Sequence, residues 1–330
     1  MKIKGVHEKE VKEFIERNYL LKIKKIKYHP IGEDGCSYIL NSKRKKYFVK
    51  VFNKGEKAFK SVREVKVTLD FLFKIRKDYG FENAPLPLIN KNGNLISKNN
   101  GFSMVVYDYI QGKNLSKISR KDYKELGIIL AKLHNIRPKD FPKIKCEKLD
   151  LKAEKIIFDK IAEVRKRNFK KGSSGDRLKK ILISGEEGII KGFDFLKKNV
   201  GYIRKNRKSY AITHTDLHGF NMMKGKGDIY LIDWDSLEFA LPEKDLRWFR
   251  EDRTLEENFA EEYSKTLDKK FRLDKLAFKY YEIRRRLAIL GFFSNILLSR
   301  ELEKGEIKNY IRPIEKGTKK IMKILKKWPE

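Results

Sequence analysis

Cysteine is scarce in this chain. Cys36 and Cys146 are the two in 330 residues, far apart, with no C-x-x-C pair and no histidine at metal spacing. That excludes a disulfide framework and a cysteine-ligated zinc site, and both thiols are expected to be reduced and structural. Long apolar runs are missing as well. The most apolar late stretch, Leu287 to Leu298, is too short and too interrupted to span a bilayer. The opening MKIKGVHEKEVKEF is charged throughout and lacks the apolar core of a signal peptide, so a soluble, cytoplasmic protein with no membrane partner is expected. There is no G-x-x-x-x-G-K phosphate loop, no repeat period and no low-complexity linker. Negative charge is in short supply: 45 Asp and Glu stand against 78 Lys and Arg, a formal net charge of +33. Clustered, such charge would point to a phosphate polymer. Here the lysines are dispersed and accompany abundant Ile and Asn, as an A/T-rich coding sequence would give, so no dedicated nucleic-acid partner is expected. The densest basic run, Arg165 to Lys171, reads as a solvated helix end and loop before Gly172-Ser173-Ser174-Gly175.

What is present suffices for one large core or two moderate ones, with 40% hydrophobic and 12% aromatic residues. Residues 8 to 20 have helical spacing through Val11, Phe14 and Ile15. Segments 23–28 and 37–40 read as strands around Gly32-Glu33-Asp34-Gly35, and Tyr47-Phe48-Val49-Lys50-Val51-Phe52 as an alternating strand. A long helix follows from about Glu56 to Tyr79, with Phe59, Val62, Leu69, Leu72 and Phe73 on its apolar face. Pro85 to Ile89, a turn at Asn92-Gly93 and Phe102 to Tyr107 read as a hairpin that completes an antiparallel sheet. Ser119 is positioned to cap a helix with the stripe Leu126, Ile129, Leu130 and Leu133. Beyond it, helical patterns alternate with loops, apart from one late hairpin.

That hairpin carries the chemistry. His214-Thr215-Asp216-Leu217-His218-Gly219-Phe220-Asn221 is followed by the turn Gly225-Lys226-Gly227-Asp228 and the apolar run ending Ile232-Asp233-Trp234-Asp235. The spacing from Asp216 to Asn221 is that of the kinase catalytic loop H-R-D-L-x-x-x-N, in which Asp receives the hydroxyl proton and Asn holds magnesium. A second metal-binding Asp should follow a short hairpin, and Asp233 stands there. Phosphoryl transfer needs these types, because hard oxygens must hold Mg²⁺ on the phosphates while a carboxylate orients the attacking hydroxyl. Asp216 or Asn221 taken singly would read as a residue that tightens a loop. His214 is expected to hydrogen-bond backbone as a scaffold, and His218 to pack the loop. Lys50, with a glycine turn before it and a long helix after it, is the candidate for gripping ATP phosphates, with Glu64 as its ion-pair partner and Glu56 as runner-up.

HTDLHGFN with IDWDS, together with LAKLH, FVKVF and PEKDL, resembles the aminoglycoside phosphotransferases over about residues 20 to 250. The combination of IDWD with PEKDL is most similar to the spectinomycin type, in which an aminocyclitol hydroxyl is phosphorylated from ATP. The resemblance implies an α+β, bilobal protein-kinase-like fold with a small antiparallel-sheet N-terminal nucleotide-binding lobe (1–107), a hinge (108–112) and a mainly helical C-terminal catalytic lobe (113–330). It implies ATP or GTP and Mg²⁺, with Asp216 catalytic, Lys50 and Glu64 on the nucleotide, adenine at the backbone of Asp108 and Ile110, and Asn221 and Asp233 on the metal. D-W-D in place of D-F-G, and the lack of an A-P-E segment, argue against protein substrates. A small hydroxyl acceptor of cationic character would meet Asp235, Glu251 and Asp252, whereas Glu256 and Glu257 read as the start of a helix from Thr254 with the stripe Leu255, Phe259 and Tyr263. The chain's role is then antibiotic resistance or ordinary metabolism. The alternatives are a kinase of choline, a sugar or homoserine, and a catalytically silent kinase-fold binding or coat protein.

Overall fold

The computed structural model describes residues 7–29, 36–53, 62–99, 101–115, 117–225, 227–249, 253–268 and 270–327. The glycine turn expected at 32–35, Glu56, Glu251 and Asp252 lie outside the described residues. In chain order the elements are α1 (Glu8–Tyr19), β1 (Ile23–His29), β2 (Cys36–Ser42), β3 (Lys46–Asn53), α2 (Val62–Tyr79), β4 (Ser97–Lys98), β5 (Phe102–Asp108), β6 (Lys113–Asn114) and α3 (Arg120–His134). There follow α4 (Lys152–Lys166), α5 (Ser174–Lys205), β7 (Ala211–Thr213), β8 (Met222–Lys224), β9 (Ile229–Leu231), β10 (Glu238–Ala240), α6 (Glu243–Leu246), α7 (Arg253–Thr266), α8 (Lys275–Ser299) and α9 (Lys304–Lys327). Among the described residues no helix is long and apolar enough to cross a membrane.

Two compact units divide these elements. The first comprises Met1–Lys145, His214–Glu238 and Glu251–Phe271. Its antiparallel sheet has the order β1-β2-β3-β5-β4. The period of two along β3 sends Tyr47, Val49 and Val51 into a core shared with Val11, Phe14 and Ile15 of α1. Phe48, Lys50 and Phe52 are thereby placed on the opposite face, where Phe52 packs on Val65 and Leu69 of α2. The expected hairpin partner of β5 is corrected: Ser97–Lys98 pairs with it, and Pro85 to Ile89 contributes only an isolated bridge from Pro87 to Tyr107. Two prolines in five residues lack the N–H groups a ladder needs. Ser119 caps α3 in a capping box with Asp122, and Leu126, Ile129, Leu130 and Leu133 are all buried. Gly127 lets α3 approach α7 closely, since a Cβ there would meet the Phe259 carbonyl oxygen at 2.6 Å. Helix α7 begins at Arg253, so Thr254 falls in its first turn rather than at its cap.

The second unit comprises Cys146–Thr213, Phe239–Arg250 and Arg272–Glu330. It is built on α4, α5, α8 and α9, whose apolar faces meet in one core that includes Ile157, Leu182, Leu196, Tyr280, Leu287 and Ile314. Neither cysteine is bridged; Cys36 is buried as expected, whereas Cys146 is exposed and packs no core. Burial pushes the Glu243 carboxyl up to about 7, although its oxygen accepts the Asp274 N–H at 3.1 Å. The folded state therefore holds an extra proton between the ordinary 4.5 and about 7. The stability this confers is fully present below the lower value and lost as pH rises through the upper one. Glu243→Gln is expected to flatten the fall in thermal midpoint between about pH 5 and pH 8, and an unchanged slope would refute it.

Candidate active site

The loop between β7 and β8 is held by its own side chains. His214 is fully buried, its Nε2 lies 3.0 Å from the Ile232 carbonyl oxygen, and its ring packs 4.6 Å from that of Trp234. This is the scaffold role expected of it. Trp234 is itself buried, donates to the Leu231 carbonyl at 2.7 Å and rests on Phe71 and Phe81. An anchored ring thus stands beside the two aspartates of the D-W-D segment.

Two backbone positions are strained. Thr215 has φ 72° and Asp233 φ 63°, in the left-handed region that a β-branched residue strongly disfavours. Such conformations cost on the order of 1–3 kcal/mol each and persist only where the surroundings impose them. For Thr215 one such constraint is its Oγ1 donating to the Ser236 carbonyl at 3.0 Å. Strand β9 ends at Leu231, so Asp233 lies just past the strand rather than on it. The Ile232 N–H donates to the Asn221 carbonyl at 2.9 Å, which brings the two predicted metal residues onto neighbouring chain segments.

Asn221 donates from Nδ2 to the Asp216 carbonyl at 2.9 Å and to its Oδ2 at 3.2 Å. Committing the nitrogen inward leaves the amide oxygen as the hard donor, and with the Asp233 carboxylate this pair fits the oxygen preference of Mg²⁺. Lys50 Nζ lies 2.9 Å from Asp233 Oδ1 and 3.4 Å from Asp235 Oδ2. Burial acts to lower the Lys50 pKa, but the Asp233 and Asp235 carboxylates outweigh it and hold it above the ordinary lysine value. Burial likewise acts to raise that of Asp233, and Lys50 outweighs it, so the carboxyl sits below its usual range.

The expected pairing of Lys50 with Glu64 is replaced by a different arrangement: Glu64 is bonded by Lys145 at 2.6 Å. Two carboxylates offer Lys50 a deeper well than one, and Lys145 reaches Glu64. At the predicted hinge the Asp108 N–H is taken by the Leu86 carbonyl at 3.1 Å, and that of Tyr109 by Lys46 at 3.2 Å. No described residue takes the Ile110 N–H. Downstream, Phe259 and Tyr263 are buried as their stripe requires, and Glu262 pairs with Lys124 at 3.8 Å.

Sequence reasoning missed one contact. His218 Nδ1 accepts the Phe220 N–H at 3.2 Å, so the neutral ring carries its proton on Nε2, which lies 3.4 Å from Asp216 Oδ2. The two-residue spacing from Asp216 was the available signal.

A family model described as the phosphotransferase enzyme family (APH) matches residues 25–278. No curated protein matches the chain. Among solved structures it is similar to spectinomycin phosphotransferase APH(9)-Ia in complex with ADP and spectinomycin, at 18% identity over 97% of this chain and 99% of that one, TM-score 0.81. An aminoglycoside phosphotransferase from Alicyclobacillus acidocaldarius is 12% identical over 99% of this chain and 96% of that one, TM-score 0.68. A microcompartment-associated aminopropanol kinase is 14% identical over 96% and 97%, TM-score 0.62. At these identities the likeness is one of fold, and the expected α+β, kinase-like fold class is borne out.

Proposed function

The chain belongs to the phosphotransferase enzyme family, and on that premise we propose that it moves the γ-phosphate of ATP to a hydroxyl of a small molecule, with a spectinomycin-like aminocyclitol or an aminoglycoside as acceptor. The observation that carries this reading is convergence: Lys50 meets Asp233 across 183 positions of sequence, in the same unit in which Asn221 holds Asp216. A binding scaffold has no physical need for that set.

In this reading Asp216 orients the acceptor hydroxyl and takes its proton as the oxygen attacks the γ-phosphorus and ADP leaves. Lys50 holds the nucleotide phosphates. Asn221 and Asp233 would hold Mg²⁺, which when bound neutralises charge on those phosphates. The Ile110 N–H and the Asp108 backbone would meet the adenine edge, in a hinge at 108–112 between a nucleotide lobe (1–107) and a catalytic lobe (113–330). Glu64 keeps its assignment to the nucleotide side only indirectly, through the end of the helix that backs Lys50. For a cationic acceptor we assign Asp235, with Glu251 and Asp252 beyond the described residues. The complex of the similar spectinomycin phosphotransferase with ADP and spectinomycin, matched along nearly its whole length, supports beginning with that acceptor.

The test is Mg²⁺-dependent ATP turnover with spectinomycin, several aminoglycosides, choline and simple sugars. Stimulation by an aminocyclitol or aminoglycoside is expected; stimulation by choline or a sugar alone would move the acceptor class, and none at all would count against the enzyme's assigned chemistry. His218→Ala is expected to lower kcat roughly tenfold with the KM for ATP unchanged, the size of a long hydrogen bond to a charged group. Equal losses in kcat and ATP affinity would show instead that the ring merely supports the loop.

A further inference from the structure

The second unit carries a groove of about 1150 Å³ between α8 and α9, with Arg177 of α5 in its lining. Its charge is one-sided. Arg285 and Arg286 of α8 and Lys308, Arg312, Lys316 and Lys320 of α9 join Arg177, against one carboxylate, Glu315, among the described lining residues. These 7 cations among 15 lining residues are about double the density of the whole chain, which has 78 in 330. The lysine-rich composition that explains scattered positive charge therefore does not account for this groove. Glu315 offsets one of the seven, Arg177, and is shared with Lys319 outside the lining, each at 3.2 Å.

The four α9 cations stand at i, i+4, i+8 and i+12, in steps of roughly 6 Å along one face, an arrangement in which each neighbouring pair repels. Lys308, Arg312 and Lys316 are exposed and make no ion pair with a described residue. Arg286 reaches Glu282 at 2.5 Å, yet its Nε is buried with no hydrogen-bond partner. The Arg285 guanidinium is held in place 3.7 Å over the Trp248 ring.

A basic amphipathic helix commonly lies on a membrane. In α9 the apolar face that would insert, with Ile311, Ile314 and Ile321, is already packed in the core of the unit. A single-stranded nucleic acid would want exposed rings for its bases to stack on. Among the described residues lining the groove the one aromatic, Phe293, packs edge-on against Tyr310 at 5.3 Å. What remains, at Lys308, Arg312 and Lys316, is a row of exposed cations with no ion-pair partner among the described residues.

We propose that this groove binds a linear oligophosphate, an anion carrying several phosphate groups in line, along the α9 ladder and the Arg285–Arg286 pair. Every lining residue belongs to the second unit, whereas Lys50, Asp216, Asn221 and Asp233 belong to the first, so the inference does not rest on the phosphotransfer reading.

The test is calorimetric titration of the full chain with tripolyphosphate in the absence of Mg²⁺. A Lys50→Ala background keeps a phosphate chain out of the nucleotide site. Saturable binding is expected, weakening as salt is raised. It should be at least about tenfold weaker in Arg312→Gln/Lys316→Gln, two exposed positions at which neutralisation also relieves repulsion within the helix. Equal affinity in both proteins, or no saturable binding in either, overturns the proposal. So does tighter, equally Arg312- and Lys316-dependent binding of a single-stranded oligonucleotide or of vesicles of anionic lipid.

Discussion

Asp216→Asn is expected to lower turnover by about 10²–10⁴-fold, the usual contribution of a positioned general base, while leaving the thermal midpoint and ATP affinity close to those of the parent. The substitution is nearly isosteric. Asn221 Nδ2 bonds the Asp216 backbone carbonyl at 2.9 Å as well as the carboxylate at 3.2 Å, and an amide oxygen in place of the carboxylate can accept the second bond. His218 Nε2, 3.4 Å from Oδ2, likewise still finds an acceptor. The loop keeps its shape, and what is lost is the capacity to take a proton from the acceptor hydroxyl. Initial rates with whichever acceptor stimulates turnover, taken beside a melting curve, check this. Unchanged kcat would remove Asp216 from the proton path, and a large drop in midpoint would show that the residue is mainly structural.

The parts of this site that were legible in the sequence are those in which chemistry dictates residue type at short range. Asp216 and Asn221 lie in one loop, so their spacing alone places them together, and the Gly225 to Asp228 turn closes as expected with the Gly225 N–H on the Asp228 carbonyl at 2.8 Å. The alternation of β3 likewise placed Lys50 on the face away from the α1 core. Its partner was not legible, because ion pairing among side chains distant in sequence depends on which carboxylates the fold brings within reach. Glu64 is an acid at a plausible position, but Asp233 and Asp235 together outbid it electrostatically. Strain was invisible for a related reason: Thr215 carries no sequence signal for a left-handed backbone, and it is held there by Ser236, 21 positions away. The strand at 85–89 failed on simpler grounds, since the proline chemistry that argued against it was present in the sequence.

The largest expected loss of stability lies outside the phosphotransfer site, at Arg284. Its Nε donates to Glu154 Oε1 at 2.8 Å and its Nη1 to Glu147 Oε2 at 3.0 Å, with the guanidinium mostly buried. The Glu147 side chain is fully buried and also accepts from Tyr281 Oη at 2.5 Å and pairs with Lys244 at 3.3 Å. Glu154 is served less well, for its Oε2 is buried with no hydrogen-bond partner. Arg284→Met keeps most of the side-chain volume and removes the cation. It strands the Glu154 carboxylate and strips one of two cations from Glu147. Deleting one member of such a buried pair costs about 3–5 kcal/mol, because the charge left behind is neither solvated nor compensated. Chemical denaturation followed by helical signal, to which α4, α5, α8 and α9 contribute much, measures the loss. The double substitution Arg284→Met/Glu154→Gln distinguishes the cause: if an uncompensated charge is what costs stability, neutralising Glu154 recovers a good part of it, whereas if packing around the guanidinium is what matters, the second substitution recovers nothing.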